Sequence, residues 1–281
     1  MCHLDTNIDF IAFYHKYLEN DCIFAKIYIV KKSFILLFVL ISFFANAQQD
    51  SIPNEIHISG NFGVTNNGMS IIPTFSLQAP AINTSFSIFK GGRFSFQPDV
   101  RLTFDGRKGG AMFWFRYKLI NEKKFKVNVA AHPAYNFALR SITENDKSWT
   151  ITQARRFWAT ELAPSYTFNN HFAMGVYYLN GHGLQNDGPL LTHYVNLNTS
   201  FSGIPIGGHT LLNINPAAYY LQVDKQDGYY LTGSVVVANK KQPISFMYSY
   251  NKELKTNITG SKLYDWNVSL VYSFNQVYRR K

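Results

Sequence analysis

Few side chains in this sequence are spaced for chemistry, and each group of them points to a different kind. In His57-Ile58-Ser59 an imidazole and a hydroxyl stand two residues apart. On an extended strand they share one face, as a histidine must to take a serine proton. No acid partner or route for a substrate is evident there, and two polar residues at that spacing are common on any polar strand face. The segment Asn180-Gly181-His182-Gly183-Leu184-Gln185-Asn186-Asp187-Gly188 offers a second histidine, but the residue two positions on is Leu184, so it lacks a nucleophile. His132, His171, His182, His193 and His209 are scattered without the short spacings that place ligands around one ion. Gly91-Gly92, Gly109-Gly110 and Gly207-Gly208 do not open helices, so they read as turns and not as phosphate cradles. The expectation is a chain with no catalytic residue, no cofactor and no metal. Lys240-Lys241 and Arg279-Arg280-Lys281 could contact nucleic acid, but an exported chain would offer them to anionic lipid or cell wall instead.

Export is written near the start. Lys31-Lys32 precedes an apolar run from Ser33 to Phe44, and Ala45-Asn46-Ala47 follows it. This is the order of a secretory signal with a small-x-small cleavage site. The run is shorter than the ~20 residues needed to span a bilayer as a helix. Residues 1–30 have no signal-like order and read as a mis-assigned upstream extension, 31–47 as the signal, and 48–281 as the working domain. Cys2 and Cys22 fall in the part removed, which excludes disulfide and thiolate-metal chemistry from the remainder. Lys16, Lys26, Lys31 and Lys32 balance Asp5, Asp9, Glu19 and Asp21, so residues 48–281 carry the whole charge of +10.

Composition bounds the fold. Aromatics are 16% of the 281 residues, with 24 Phe and 18 Tyr, while charged residues are also 16%, below the ~25% usual for a soluble domain. That aromatic load excludes disorder, and the hydrophobic period beyond residue 48 is two, not 3.6. Trp266, Val268, Leu270, Tyr272 and Phe274 alternate with Asn267, Ser269, Val271, Ser273 and Asn275, and Phe94, Phe96, Val100 and Leu102 with Ser95, Gln97, Asp99 and Arg101. Such segments have one apolar and one polar face. Twelve are predicted: roughly 55–66, 75–89, 93–105, 110–120, 124–140, 153–168, 172–181, 191–202, 209–223, 228–239, 243–251 and 264–276. Pro73 and Pro80 make the second the least regular. Connections after even strands are short. After odd strands several are longer: Ser141 to Ile151, Asn180 to Leu190 and Asn251 to Tyr264.

An even strand count with long strands and alternating short and long connections is the pattern of a transmembrane antiparallel up-and-down β-barrel. The class is all-β, with about 12 strands and both termini periplasmic. A soluble sandwich would also alternate, but with shorter strands whose apolar faces share a core. The polar faces then line a lumen. Asp99, Arg101, Arg116, Lys118, Lys126, His132, Arg140, Arg155 and Glu161 fall on strands three to six as a mostly basic wall, opposite a neutral wall of Asn, Ser and Thr. Such a wall in a water-filled lumen biases passage toward anions. Alternatively, Asp99, Asp105 and Glu161 pair with the cations while Trp114 and Tyr177 plug what remains. The loop bearing Gly181, His182, Asn186 and Asp187 is the candidate for an external contact, compact enough to fold over the barrel mouth.

The signal ending Ala-Asn-Ala before Gln48-Gln49, the Phe/Tyr-rich dyad repeat and a strand close to the C-terminus resemble the small, porin-like outer-membrane β-barrel proteins of Gram-negative bacteria, particularly Bacteroidota. The resemblance implies the outer membrane as location, lipid and the barrel-assembly machinery as partners, the latter through the C-terminal strand, and small solutes, anions among them, as cargo. One departure stands out: such barrels typically end on an aromatic residue, whereas Tyr278 is followed by Arg279-Arg280-Lys281. The expected role is a passive pore, the alternative a plugged structural or ligand-binding barrel. A lipid-modifying enzyme is a third reading, which the missing nucleophile after His182 disfavours. N-terminal sequencing of the exported protein should begin at Gln48; peptides from residues 1–29 in the precursor would overturn the reassigned start.

Overall fold

The computed structural model describes residues 55–90, 92–144 and 147–279. The extension, the signal segment and both cysteines lie outside the described residues. The strands are β1 Glu55–Thr65, β2 Ala81–Lys90, β3 Phe94–Thr103, β4 Gly109–Asn121, β5 Phe125–Glu144, β6 Lys147–Thr167, β7 Phe172–Gly183, β8 Leu191–Gly207, β9 Thr210–Val223, β10 Gln226–Asn239, β11 Ile244–Thr256 and β12 Tyr264–Arg279. Each pairs antiparallel with its neighbours in sequence, and β1 closes on β12. The closing register runs from Glu55↔Arg279 to Thr65↔Ser269. An Arg279–Glu55 ion pair of 2.8 Å pins one end, and the Val268 N–H bond to the Asn66 side chain pins the other. A cylinder with no free edge satisfies its strand amides without help from water.

Alternation decides which side of the wall each residue faces. Outward, Phe62, Phe86, Leu162, Val176, Leu197, Leu231, Phe246 and Leu270 are all exposed. An apolar belt of this extent is far larger than the patches a soluble monomer shows, and it suits a hydrocarbon surround. Its rims differ. At the short-turn end, Tyr166, Phe168, Phe172 and Phe201 form a continuous ladder of rings 4.9–5.0 Å apart. At the long-loop end the outward aromatics are Trp158, Tyr178, Tyr220, Tyr229, Tyr264 and Trp266, whose polar atoms suit a wet interface.

Three expectations are corrected. The second strand starts at Ala81, not 75. Pro73 opens a 3-10 turn, Pro73–Phe75, and the chain from 66 to 80 becomes a compact loop. Residues 141–144 and 147–151 are not loop: the dyad continues in both, and β5 and β6, 20 and 21 residues long, stay paired out to Glu144↔Lys147. A tilted strand crosses hydrocarbon in ~9–11 residues, so this hairpin stands clear of the belt. The later loops are also shorter than expected, because β7 reaches Gly183 and β11 reaches Thr256.

A charge on the outer face has no water to solvate it, whereas the inner face is polar. In lipid vesicles Leu197→Arg should lower unfolding free energy by about 2–4 kcal/mol. Asn198→Arg, one residue on and facing inward, should cost clearly less, as read by denaturant titration of the refolded barrel.

Candidate functional site

The lumen is occupied at the long-loop end by residues 66–80. This segment closes on itself through Leu77 N–H to Gly68 O (3.0 Å) and Ala79 N–H to Asn67 O (3.1 Å). Gly68 sits at φ +55°, where an added Cβ would also lie 2.8 Å from the Leu77 Cβ, so only glycine fits. Asn67 ties the entry of the loop to β12 by bonds from its amide to Asp265 (2.7 Å) and to the Trp266 carbonyl (2.9 Å). From there the loop crosses the barrel. Tyr219 on β9 donates to the Ile71 carbonyl at 2.7 Å, and Arg101 on β3 donates to the Phe75 carbonyl at 3.0 Å. Phe75 packs edge-on against Phe157 of β6 at 5.3 Å. Lys108 bonds the Leu77 carbonyl, and Ile72 rests on a cluster of Tyr194, Tyr219, Leu221 and Tyr230. Turn chemistry at Gly68 and Pro73 hinted at a loop here, but no local signal shows that it folds inward.

Below the loop two cavities share a wall. The loop-end cavity, about 600 Å³, is lined by Ile71, Ile72 and Phe75 of the loop and by Arg101, Met112, Trp114, His132 and Asn196 of the barrel. The turn-end cavity, about 450 Å³, is lined by Ser59, Asn61, Ser85, Gln97, Asp99, Trp114 and Arg116. Trp114 borders both. Arg116 lies over its indole, 4.4 Å from the ring centroid, and His132 packs against it at 3.6 Å. Arg116 is held by Glu161 through two bonds of 2.9 and 3.0 Å and by Gln97. Tyr177 donates to the same carboxylate at 2.9 Å. These residues, from β3 to β7, form a septum between the two cavities.

The expected basic wall is therefore divided among separate environments. Arg116 is neutralised by Glu161. Arg140 and Arg155 both approach Asp187, at 3.6 and 3.9 Å. The Lys118 ammonium sits 4.3 Å over the Phe89 ring, and Lys126 is exposed at the turn-end rim. Asp99 lines the turn-end cavity. Asp105 does not pair with a cation as expected. The Thr103 hydroxyl, and after it the Arg107 N–H at 3.0 Å, hold its carboxyl below the usual range. Arg101 remains in the wall without an ion pair among the described residues.

The external-contact group also separates. Gly181 is not in a loop: it belongs to β7 and lines the loop-end cavity. His182 faces outward on β7, with its Nε2 2.7 Å from the Asn180 side chain. Asn186 is exposed on the loop 184–190. Asp187 turns inward to the arginines and to Gln153, while Leu184 N–H bonds Arg156 O at 3.0 Å. This loop leans on the β5–β6 hairpin, and the mouth is covered by 66–80 instead. His57 does have an acid neighbour, Glu55 at 3.6 Å, because the strand repeat puts both on one face. Its ring lies against Phe89, with centroids 5.8 Å apart, and no bond joins it to Ser59. Among the described residues no group of three or more His, Cys, Asp or Glu is placed to hold a metal.

The sequence matches no protein-family model and no curated protein. Several solved structures are similar in fold. A KdgM porin aligns at 10% identity and TM-score 0.47, covering 77% of this chain and 99% of its own. A NanC porin does so at 10% and 0.47, covering 77% and 98%. An outer-membrane channel from Pseudomonas putida F1 aligns at 9% and 0.45, covering 82% and 99%. These are likenesses of a barrel, and no residue role is carried over from them.

The septum sets a prediction. The Glu161 side chain is 2% exposed and that of Arg116 28%, so removing the acid leaves a poorly solvated cation. Glu161→Gln should cost about 3 kcal/mol, whereas Arg140→Gln, at a surface pair, should cost under ~1 kcal/mol. Chemical denaturation of both variants checks the order.

Proposed function

We propose that the mature chain is an integral outer-membrane barrel that passes small solutes through a constricted lumen, with both termini on the periplasmic side. One observation carries the reading: a closed cylinder with an apolar outside encloses two cavities, a mostly apolar one toward the loop end and a polar one toward the turn end, with side chains between them and a single loop over the first. Hydrogen-bonded side chains and a loop can rearrange without breaking the barrel, so the path is narrow but not sealed by backbone. The short turns and long loops support the orientation, and the signal segment supports export. Lipid contacts the belt, and the assembly machinery would read β12, where Phe274 and Tyr278 precede the basic tail. Selectivity rests on Arg101 more than on a basic wall, because Arg116 is balanced by Glu161 and the two loop-end arginines share Asp187. The plugged barrel remains the second reading, favoured by how completely residues 66–80 cross the lumen.

Planar bilayers separate the two. The wild type should pass a small steady current, and replacing residues 69–75 by a short Gly-Ser linker should raise it several-fold. Silence of both proteins at all voltages would overturn the pore.

A further inference from the structure

The loop-end cavity holds three polar atoms that the protein leaves unanswered. Arg101 Nε, His132 Nδ1 and Asn196 Oδ1 are buried and have no hydrogen-bond partner. They come from β3, β5 and β8, yet their side chains line the same cavity. Buried polar groups in folded proteins are nearly always paired, and a cation out of water needs an opposite charge. His132 is 3% exposed and Asn196 9%, so bulk water does not answer for them. Asn83 Oδ1, Gln153 Oε1 and Arg155 Nε also lack a partner, but none of them lines this cavity, and Arg116 has a bidentate carboxylate. Arg101 has only the Phe75 carbonyl. Asp99 stands two positions along the same strand face but forms no ion pair with it.

Most of the remaining wall is apolar. Met112, Phe157 and Leu179 face Ile71 and Ile72 of the loop. The room exists because neighbouring strands place small residues side by side: Ala159 pairs with Gly181, and Gly110 and Ala134 line the same wall. At about 600 Å³ the space is within the range of small-molecule sites.

We propose that this cavity binds an amphipathic monocarboxylate, its apolar body held between the small-residue wall and the loop and its carboxylate answering the unpaired Arg101 guanidinium. A single cation in a mostly apolar cavity matches one negative charge on a greasy body better than it matches a polyanion. His132 and Asn196 offer further bonds to polar atoms of the same ligand. This names the solute class of the proposed pore and rests on the barrel reading, but binding can be measured without conduction.

The test is calorimetric titration of the processed full chain in non-ionic detergent, against a micelle blank, with 2-naphthoate and with 2-naphthamide, which has the same body and no charge. The acid should bind at least about tenfold more tightly than the amide. Arg101→Gln should abolish that difference. Gly181→Leu should weaken both ligands, since Gly181 lines the cavity and a Cβ there meets only ordinary contacts with Thr192, Leu179 and Ala159. Equal affinities in the wild type, or an acid preference that survives in Arg101→Gln, would overturn the proposal. The comparison of acid with amide needs no variant, so it stands if Arg101→Gln does not fold. Current without acid preference would refute this site and leave the pore; acid binding in a barrel that passes no current would do the reverse.

Discussion

Backbone amides that face hydrocarbon have no water to bond, and a sheet can meet that condition only by returning to its own first strand. The seam between β1 and β12 is where the condition is met here, through a continuous antiparallel register, an ion pair at one end and Asn66 at the other. Once the cylinder closes, the two faces of every strand acquire different solvents. The outer one can be uniformly apolar, and the inner one must solve its own hydrogen-bonding problem in a confined space.

That second problem shapes the lumen. Twelve strands enclose more volume than their own polar side chains fill, and the protein uses two devices to reduce it. One is the septum, where Glu161 collects Arg116 and Tyr177 and brings them beside Trp114. The other is the loop 66–80, whose carbonyls at Ile71 and Phe75 are received by Tyr219 and Arg101 from opposite walls. Loop carbonyls buried away from water need such donors, which explains a tyrosine and an arginine at these depths. Three of the polar atoms still unpaired, on Arg101, His132 and Asn196, then share the cavity that the two devices leave between them.

The strands were legible to within a few residues because the dyad is a local property. Trp266 through Phe274 and Phe94 through Leu102 could face two ways only on a sheet. Loops were less so. Ser141 to Ile151 is rich in turn formers, yet pairing carried β5 on to Glu144 and β6 back from Lys147, since a strand continues wherever its partner does. Alternation gives a charged side chain its side of the wall, but not which partner it meets there. Glu161 lies far along the chain from Arg116, and Asp187 reaches Arg155 from another hairpin.

From the residue order alone came what depends on neighbours in sequence: a period of two and the strand count. Packing decided whatever depends on distance across the cylinder. No spacing in residues 66–80 reveals that the segment turns inward, that Arg116 is neutralised while Arg101 is not, or that Gly181 makes space instead of a loop. The reason is geometric. Alternation fixes a side chain's direction, but its companions are set by which strands closure brings face to face.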